Sequence, residues 1–150
     1  MNSKSSFQPA GLIRVLACIL YDAMLVFALL FVSTLAFLLI PEGIRDTDPY
    51  IQAGKVAWYF AICYLYFSWF WLRSGQTPGM RAWHTYLTDC EGHLVNRSAS
   101  IKRFWAALLS WLLAGSGYVW MVFDRDRRSL HDRLSGTCLV VKKPETKKNP

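Results

Sequence analysis

The sequence predicts an all-α membrane protein, and three observations predict it. The 150 residues are 53% hydrophobic and 15% aromatic, with a mean hydropathy of +0.20, too apolar for a typical soluble domain. The apolar residues gather into three segments, Leu12–Ile40, Val56–Leu72 and Phe104–Phe123. The seventeen Lys and Arg residues lie almost entirely outside those segments. The net charge of +7 is therefore explained by topology and anionic lipid headgroups. No nucleic-acid-binding motif accompanies it, so no nucleic-acid partner is expected. One membrane unit, residues 10–141, is expected between a polar tail (1–9) and a disordered basic tail (142–150).

The first apolar segment is too long for a signal-peptide core and has no Ala-x-Ala exit, so it is read as a retained helix. It exceeds the roughly 20 residues a helical span needs, and Pro41-Glu42-Gly43 ends it, because Pro and Gly do not continue a helix cheaply. A polar linker, Pro41–Lys55, leads to the second span, whose end carries Trp69, Trp71 and Arg73 as an interfacial anchor. Gly75-Gln76-Thr77-Pro78-Gly79 is a turn by composition. Arg81–Val95 reads as a short surface hairpin turning at Glu91-Gly92. Ser98-Ala99-Ser100 offers the start of the third apolar segment, Lys102 and Arg103 mark its interface, and Gly115-Ser116-Gly117 interrupts it. A strand over Thr137–Val141 could pair with Trp83–Thr88, giving a small cytoplasmic sheet.

Charge sets the topology problem. Lys and Arg number two in Met1–Arg14, two in Pro41–Lys55, five in Arg73–Arg103 and eight in Asp124–Pro150. Three full spans would put the two most basic stretches on opposite sides, against the positive-inside tendency. Two full transmembrane helices plus a Gly-broken third helix, re-entrant or interfacial, keep both in the cytoplasm with the N-terminus. That arrangement is favoured over a third span. Broken backbone at membrane depth is tolerated where protein buries it.

Asp22 lies inside the first span, where an acid costs about 2.5–3.5 kcal/mol even on the lenient insertion scale. Arg14 precedes it by eight residues, about 12 Å along a helix and about 80° around it. Asp22 is either a protonatable carrier or ion ligand, or a structural pair or hydrogen bond fixing helix packing. Arg14 is most simply a snorkelling interfacial residue. Near the C-terminus, His131-Asp132-Arg133 could orient a ligand; the preferred reading is a turn clamp, with Asp132 accepting backbone N–H bonds or pairing with Arg81, Arg127 or Arg128. Cys90-x-x-His93 with His131 and Cys138 has the ligand types for zinc, but no metal and no cofactor are expected. The four cysteines (Cys18, Cys63, Cys90, Cys138) are not spaced as a disulfide framework. No hydrolase or nucleotide motif occurs, so no enzymatic activity is expected.

Three blocks in order resemble the RDD family of small membrane proteins, named for one arginine and two aspartates. They are Gly11-Leu12-Ile13-Arg14 followed by Tyr21-Asp22; Gly75-Gln76-Thr77-Pro78-Gly79-Met80-Arg81, with Met80 where the family usually has lysine; and Phe123-Asp124 followed by Arg127-Arg128-Ser129-Leu130-His131-Asp132-Arg133-Leu134-Ser135-Gly136-Thr137. The resemblance spans Ala10–Val141. It implies Arg14, Asp22 and Asp132 as the named charged residues, and Gly75, Gln76, Thr77, Gly79, Arg81, His131, Gly136 and Thr137 as motif positions. It also implies a bacterial inner-membrane location and, by analogy, transport of an ion or small ligand such as cation/proton exchange. The competing expectation is a non-transporting assembly or regulatory subunit whose Arg and Asp residues are structural. A lipid-acting enzyme is a distant third. Besides the bilayer, the expected partner is a second copy or another membrane protein, because two or three spans hardly enclose a path.

Overall fold

The computed structural model describes residues 7–45, 48–89, 91–112, 120, 124 and 128–142. The elements run β1 (Phe7–Pro9), α1 (Leu12–Phe37), α2 (Glu42–Arg45), α3 (Pro49–Ser74), α4 (Pro78–Ala82), β2 (Thr85–Asp89), α5 (Arg97–Leu112), α6 (Leu130–Ser135) and β3 (Thr137–Lys142). The Gly115–Gly117 break and the basic tail beyond Lys142 lie outside the described residues.

Both long helices are mostly where hydropathy puts them. α1 is the one described helix long and apolar enough to cross a membrane. Its outer face exposes Leu20, Met24, Phe27, Phe31 and Val32, apolar side chains of the kind a bilayer covers. α3 starts earlier than the apolar segment, because Pro49 occupies the first turn and Asp48 caps it, accepting from Tyr50 N at 2.7 Å. The two helices run antiparallel. Polar side chains join them along their length: Trp58 Nε1 donates to Ser33 Oγ at 2.7 Å, and Tyr59 and Thr34 share a hydrogen bond of 2.8 Å. In lipid such contacts glue helices that have no hydrophobic drive to associate.

α5 begins at Arg97, beside the expected start at Ser98–Ser100 and seven residues before the apolar segment, and its first turn is capped by Asn96, whose Oδ1 accepts from Ala99 N at 2.8 Å. Its buried face is Ser100, Arg103, Ala106 and Ser110, a stripe of small residues interrupted by one arginine. Ser100 meets Ser68 of α3 at 3.1 Å.

The sheet corrects two expectations. Residues 91–96 form no second arm of a hairpin. Asp89 closes the loop on itself: its Oδ1 accepts from Glu91 N and His93 N at 2.9 and 2.8 Å, and its N–H reaches His93 O. β2 instead pairs antiparallel with β3, Thr85 opposite Val141. The supposed N-terminal tail contributes β1, which pairs with the other edge of β3, Phe7 opposite Lys142. The order is therefore β1-β3-β2. β1 enters α1, and β2 follows α3 and α4, so the sheet closes one end of the helices. The core sits at that junction: Ala10, Val15 and Cys18 of the entry and α1, Trp71 of α3, Met80 of α4, Leu87 and Leu139 of the sheet, and Val95.

Candidate functional site

Two buried acids organise this junction. Asp22 is 3% exposed. Its Oδ1 accepts from Tyr66 Oη at 3.0 Å and Gly79 N at 2.9 Å, and its Oδ2 accepts from Thr77 Oγ1 at 2.5 Å. The Gly-Gln-Thr-Pro-Gly turn exists to make these bonds. Gly75 ends α3 in the left-handed region (φ 65°), where a side chain would be strained. Gln76 Nε2 ties the turn to Thr85 O at 2.7 Å. Thr77 caps α4 by accepting from Met80 N while its hydroxyl proton goes to Asp22. Gly79 lies so close that a Cβ would sit 2.4 Å from Cys18 O. Arg14 is half-buried and, among the described residues, makes no hydrogen bond or ion pair; of the two structural alternatives for Asp22, the hydrogen bonds between elements are the ones formed. Arg81 points outward from the end of α4.

Asp132 is the second clamp, also 3% exposed. Its Oδ1 accepts from Arg103 Nη1, which also donates to Thr137 Oγ1 at 2.7 Å. Its Oδ2 accepts from Ser129 N and Oγ at 3.2 and 2.5 Å, completing a capping box on α6. Gly136 ends that helix at φ 67° and turns the chain into β3. Ser135 meets Thr137 at 2.7 Å. Burial alone would raise the Asp132 pKa; the Arg103 charge, His131 and the hydrogen bonds outweigh it and hold the carboxyl below its usual range.

The arginine that matters here is Arg103. The sequence offered Arg81, Arg127 or Arg128 as partners for Asp132 and read Arg103 as an interfacial marker. In the structure Arg103 is 4% exposed, with its guanidinium 5.3 Å over the Trp71 ring. The signal that could have found it is periodicity. Ser100, Arg103, Ala106 and Ser110 recur every three or four residues and form one helix face, whereas the interface reading looked only at Lys102-Arg103 as neighbours. Tyr66 and Ser129, which hold the two acids, were likewise missed.

Of the zinc set Cys90 lies outside the described residues, and the other members do not come together among the described residues. Cys138 is disulfide-bonded, His131 is 3% exposed, and His93 stands in an exposed turn against Asp89. His93, Asp89 and Glu91 come together there, but the Asp89 carboxylate is already engaged by the turn's own N–H groups.

His131 sits beside the Arg103–Asp132 pair. Burial, aided by the Arg103 charge and opposed by Asp132, pushes its pKa down to about 4. The native state then binds the proton less well than the unfolded chain, whose histidine titrates near 6.5. Stability should be whole above pH 6.5 and fall as pH drops from 6.5 towards about 4, by on the order of 3 kcal/mol across the window. Thermal unfolding in detergent from pH 8 to pH 4.5 checks this. A His131→Gln variant should show a flatter profile, and an unchanged slope would remove the assignment.

Between the two clamps lies a cavity of about 300 Å³, bounded by α1, α3 and α5 and reached by Asp22, Trp71, Arg103 and His131.

The model of the RDD family matches residues 9–136, most of the chain, including the first two sequence blocks and all of the third except Thr137. No curated protein and no solved structure matches.

Proposed function

From the premise that this chain belongs to the RDD family of membrane proteins, we propose that it is a non-transporting, non-catalytic assembly or regulatory subunit of the bacterial inner membrane. Its buried Arg and Asp residues hold the fold. The observation that carries this reading is the occupancy of Asp22: three protein donors, one of them a backbone N–H, engage both oxygens. An ion carrier must exchange its ligands. Asp22 would have to release Thr77 and Gly79, and with them the packing of α4 on α1.

In this reading α1 and α3 are the two full spans, and α5 opens a re-entrant segment. α5 starts at the sheet end, and α6 and β3 lie there too. The positive-inside tendency, applied to the stretches with five and eight Lys or Arg residues, Arg73–Arg103 and Asp124–Pro150, supports a cytoplasmic side for this end and for the N-terminus. The disulfide at Cys138 pulls the other way, since disulfides persist in oxidising compartments. The charge count weighs more because it is spread over both stretches. Partners are a second copy or another membrane protein.

Cation/proton exchange is the second reading, and the observation in its favour is that Asp22 lines the cavity. The two separate on Asp22→Asn. Its amide would turn N–H groups toward donors, and Thr77→Ala removes one donor. Each should cost roughly 1–3 kcal/mol, read as a lower unfolding midpoint, less accumulated protein and weaker capture of the partner from membranes. If both variants accumulate and unfold as the wild type does, the structural reading fails.

A further inference from the structure

The cavity has an amphipathic layout. On α1 its lining runs from Val15 to Val26, and on the antiparallel α3 from Trp71 back to Phe60. Eleven residues of helix make it about 16 Å long. Arg103, Trp71 and His131 stand at the end that meets the sheet, and the wall further on is Val26, Phe60, Ala107 and Trp111. Two polar groups at the first end are unspent. Trp71 is 5% exposed, lines the cavity, and its Nε1–H is buried without a hydrogen-bond partner. A buried donor left unmade costs about 1–3 kcal/mol, so such a group in a site is a demand for an acceptor. Arg103 spends only Nη1, on Asp132 and Thr137; among the described residues its Nε and Nη2 donate to nothing. Asp22, by contrast, already has its three donors.

We propose that this cavity binds one aliphatic acyl chain, with its carboxyl or ester oxygens accepting from Trp71 and Arg103 and its tail lying along Val26, Phe60 and Trp111. Trp71 and Arg103 offer only donors, which favours an oxygen-bearing head over a cationic one. The volume lies at the lower end of roughly 300–1,000 Å³ for ligand sites, which suits one chain and not a whole two-chain lipid. A chain of this kind is supplied by the bilayer itself, as a free fatty acid or as one arm of a phospholipid. The inference rests on reading α1 and α3 as spans, not on the structural role of the acids.

The test is photolabelling of the full chain in nanodiscs with a diazirine-bearing fatty acid and, separately, with a phosphatidylglycerol carrying the diazirine in one chain, with the adducts mapped by peptide mass spectrometry. The expected adducts fall on cavity residues of α1, α3 and α5. They are competed by dodecanoic acid and not by dodecane, and they vanish in Ala107→Phe, which fills the space. Trp71→Phe keeps an aromatic ring, smaller than the indole, and loses the donor; it should weaken competition by dodecanoic acid roughly three- to tenfold, and it gives a readout even if Ala107→Phe misfolds. Labelling by the fatty acid alone, or by the phospholipid alone, identifies the source of the chain and supports the site. Adducts confined to outward residues such as Phe27 and Phe31, or a cavity signal unmoved by dodecanoic acid and by both substitutions, would overturn it.

Discussion

Arg103→Met should be the most damaging single substitution, at about 3–5 kcal/mol, because it leaves Asp132 buried at 3% exposure without its counter-charge. Three elements lose their common tie at once: α5, which carries the arginine; α6, which Asp132 caps; and β3, whose Thr137 receives the second Nη1 bond. The expected result is a protein that inserts but is cleared from membranes and, where purified, unfolds well below the wild type. Lysine should not rescue it, since one ammonium cannot also lie as a plane over Trp71. The double variant Arg103→Met/Asp132→Leu should recover much of the loss, because no charge is then buried alone. The capping box stays broken, leaving a residual cost of about 1 kcal/mol. A double variant worse than Arg103→Met alone would show that the pair does more than hold the fold.

Gly79→Ala is the second. Its Cβ would sit 2.4 Å from Cys18 O and 2.9 Å from the Asp22 carboxyl. The nearest of these atoms is main chain and cannot swing away, so α4 must lift from α1. Lifting it also breaks the Gly79 N and Thr77 bonds to Asp22. Overpacking alone costs about 1–3 kcal/mol, and the lost bonds carry the total above about 3 kcal/mol. Gly43, where an added Cβ would meet no atom within 4 Å, is the control: Gly43→Ala should leave accumulation and unfolding unchanged. A Gly79→Ala protein as stable as the wild type would mean that α4 does not pack as described.

What was legible in the sequence follows from which signals are local. The apolar run of α1 and the polyaromatic α3 announce themselves through composition. The turn at Gly75–Gly79 and the helix end at Gly136 announce themselves through residue chemistry. β3 and its pairing with the strand after Trp83 were legible from alternation, with the register set by the fold. β1 was not legible, because Phe7-Gln8-Pro9 has no strand pattern of its own and is held by its partner's edge. The hairpin failed because Asp89 satisfies the loop's N–H groups internally, leaving no second arm to pair. Asp22 stands out by its setting in an apolar run and Asp132 by the motif that carries the resemblance, but neither signal names a partner. Tyr66 lies 44 residues from Asp22 and Arg103 lies 29 from Asp132; such contacts are made by helices packing across the fold, which no short window contains.

Flux in liposomes tests the central claim, that the buried acids hold the fold and carry no ion, most directly. Wild-type protein is reconstituted with an interior pH dye under imposed Na⁺, K⁺ or Li⁺ gradients, beside an Asp22→Asn protein shown to be inserted. The account predicts no cation-driven proton movement in either, with Asp22→Asn distinguished only by its lower unfolding midpoint. Cation-dependent proton movement in the wild type that disappears in an intact Asp22→Asn protein would contradict it and make Asp22 the carrier.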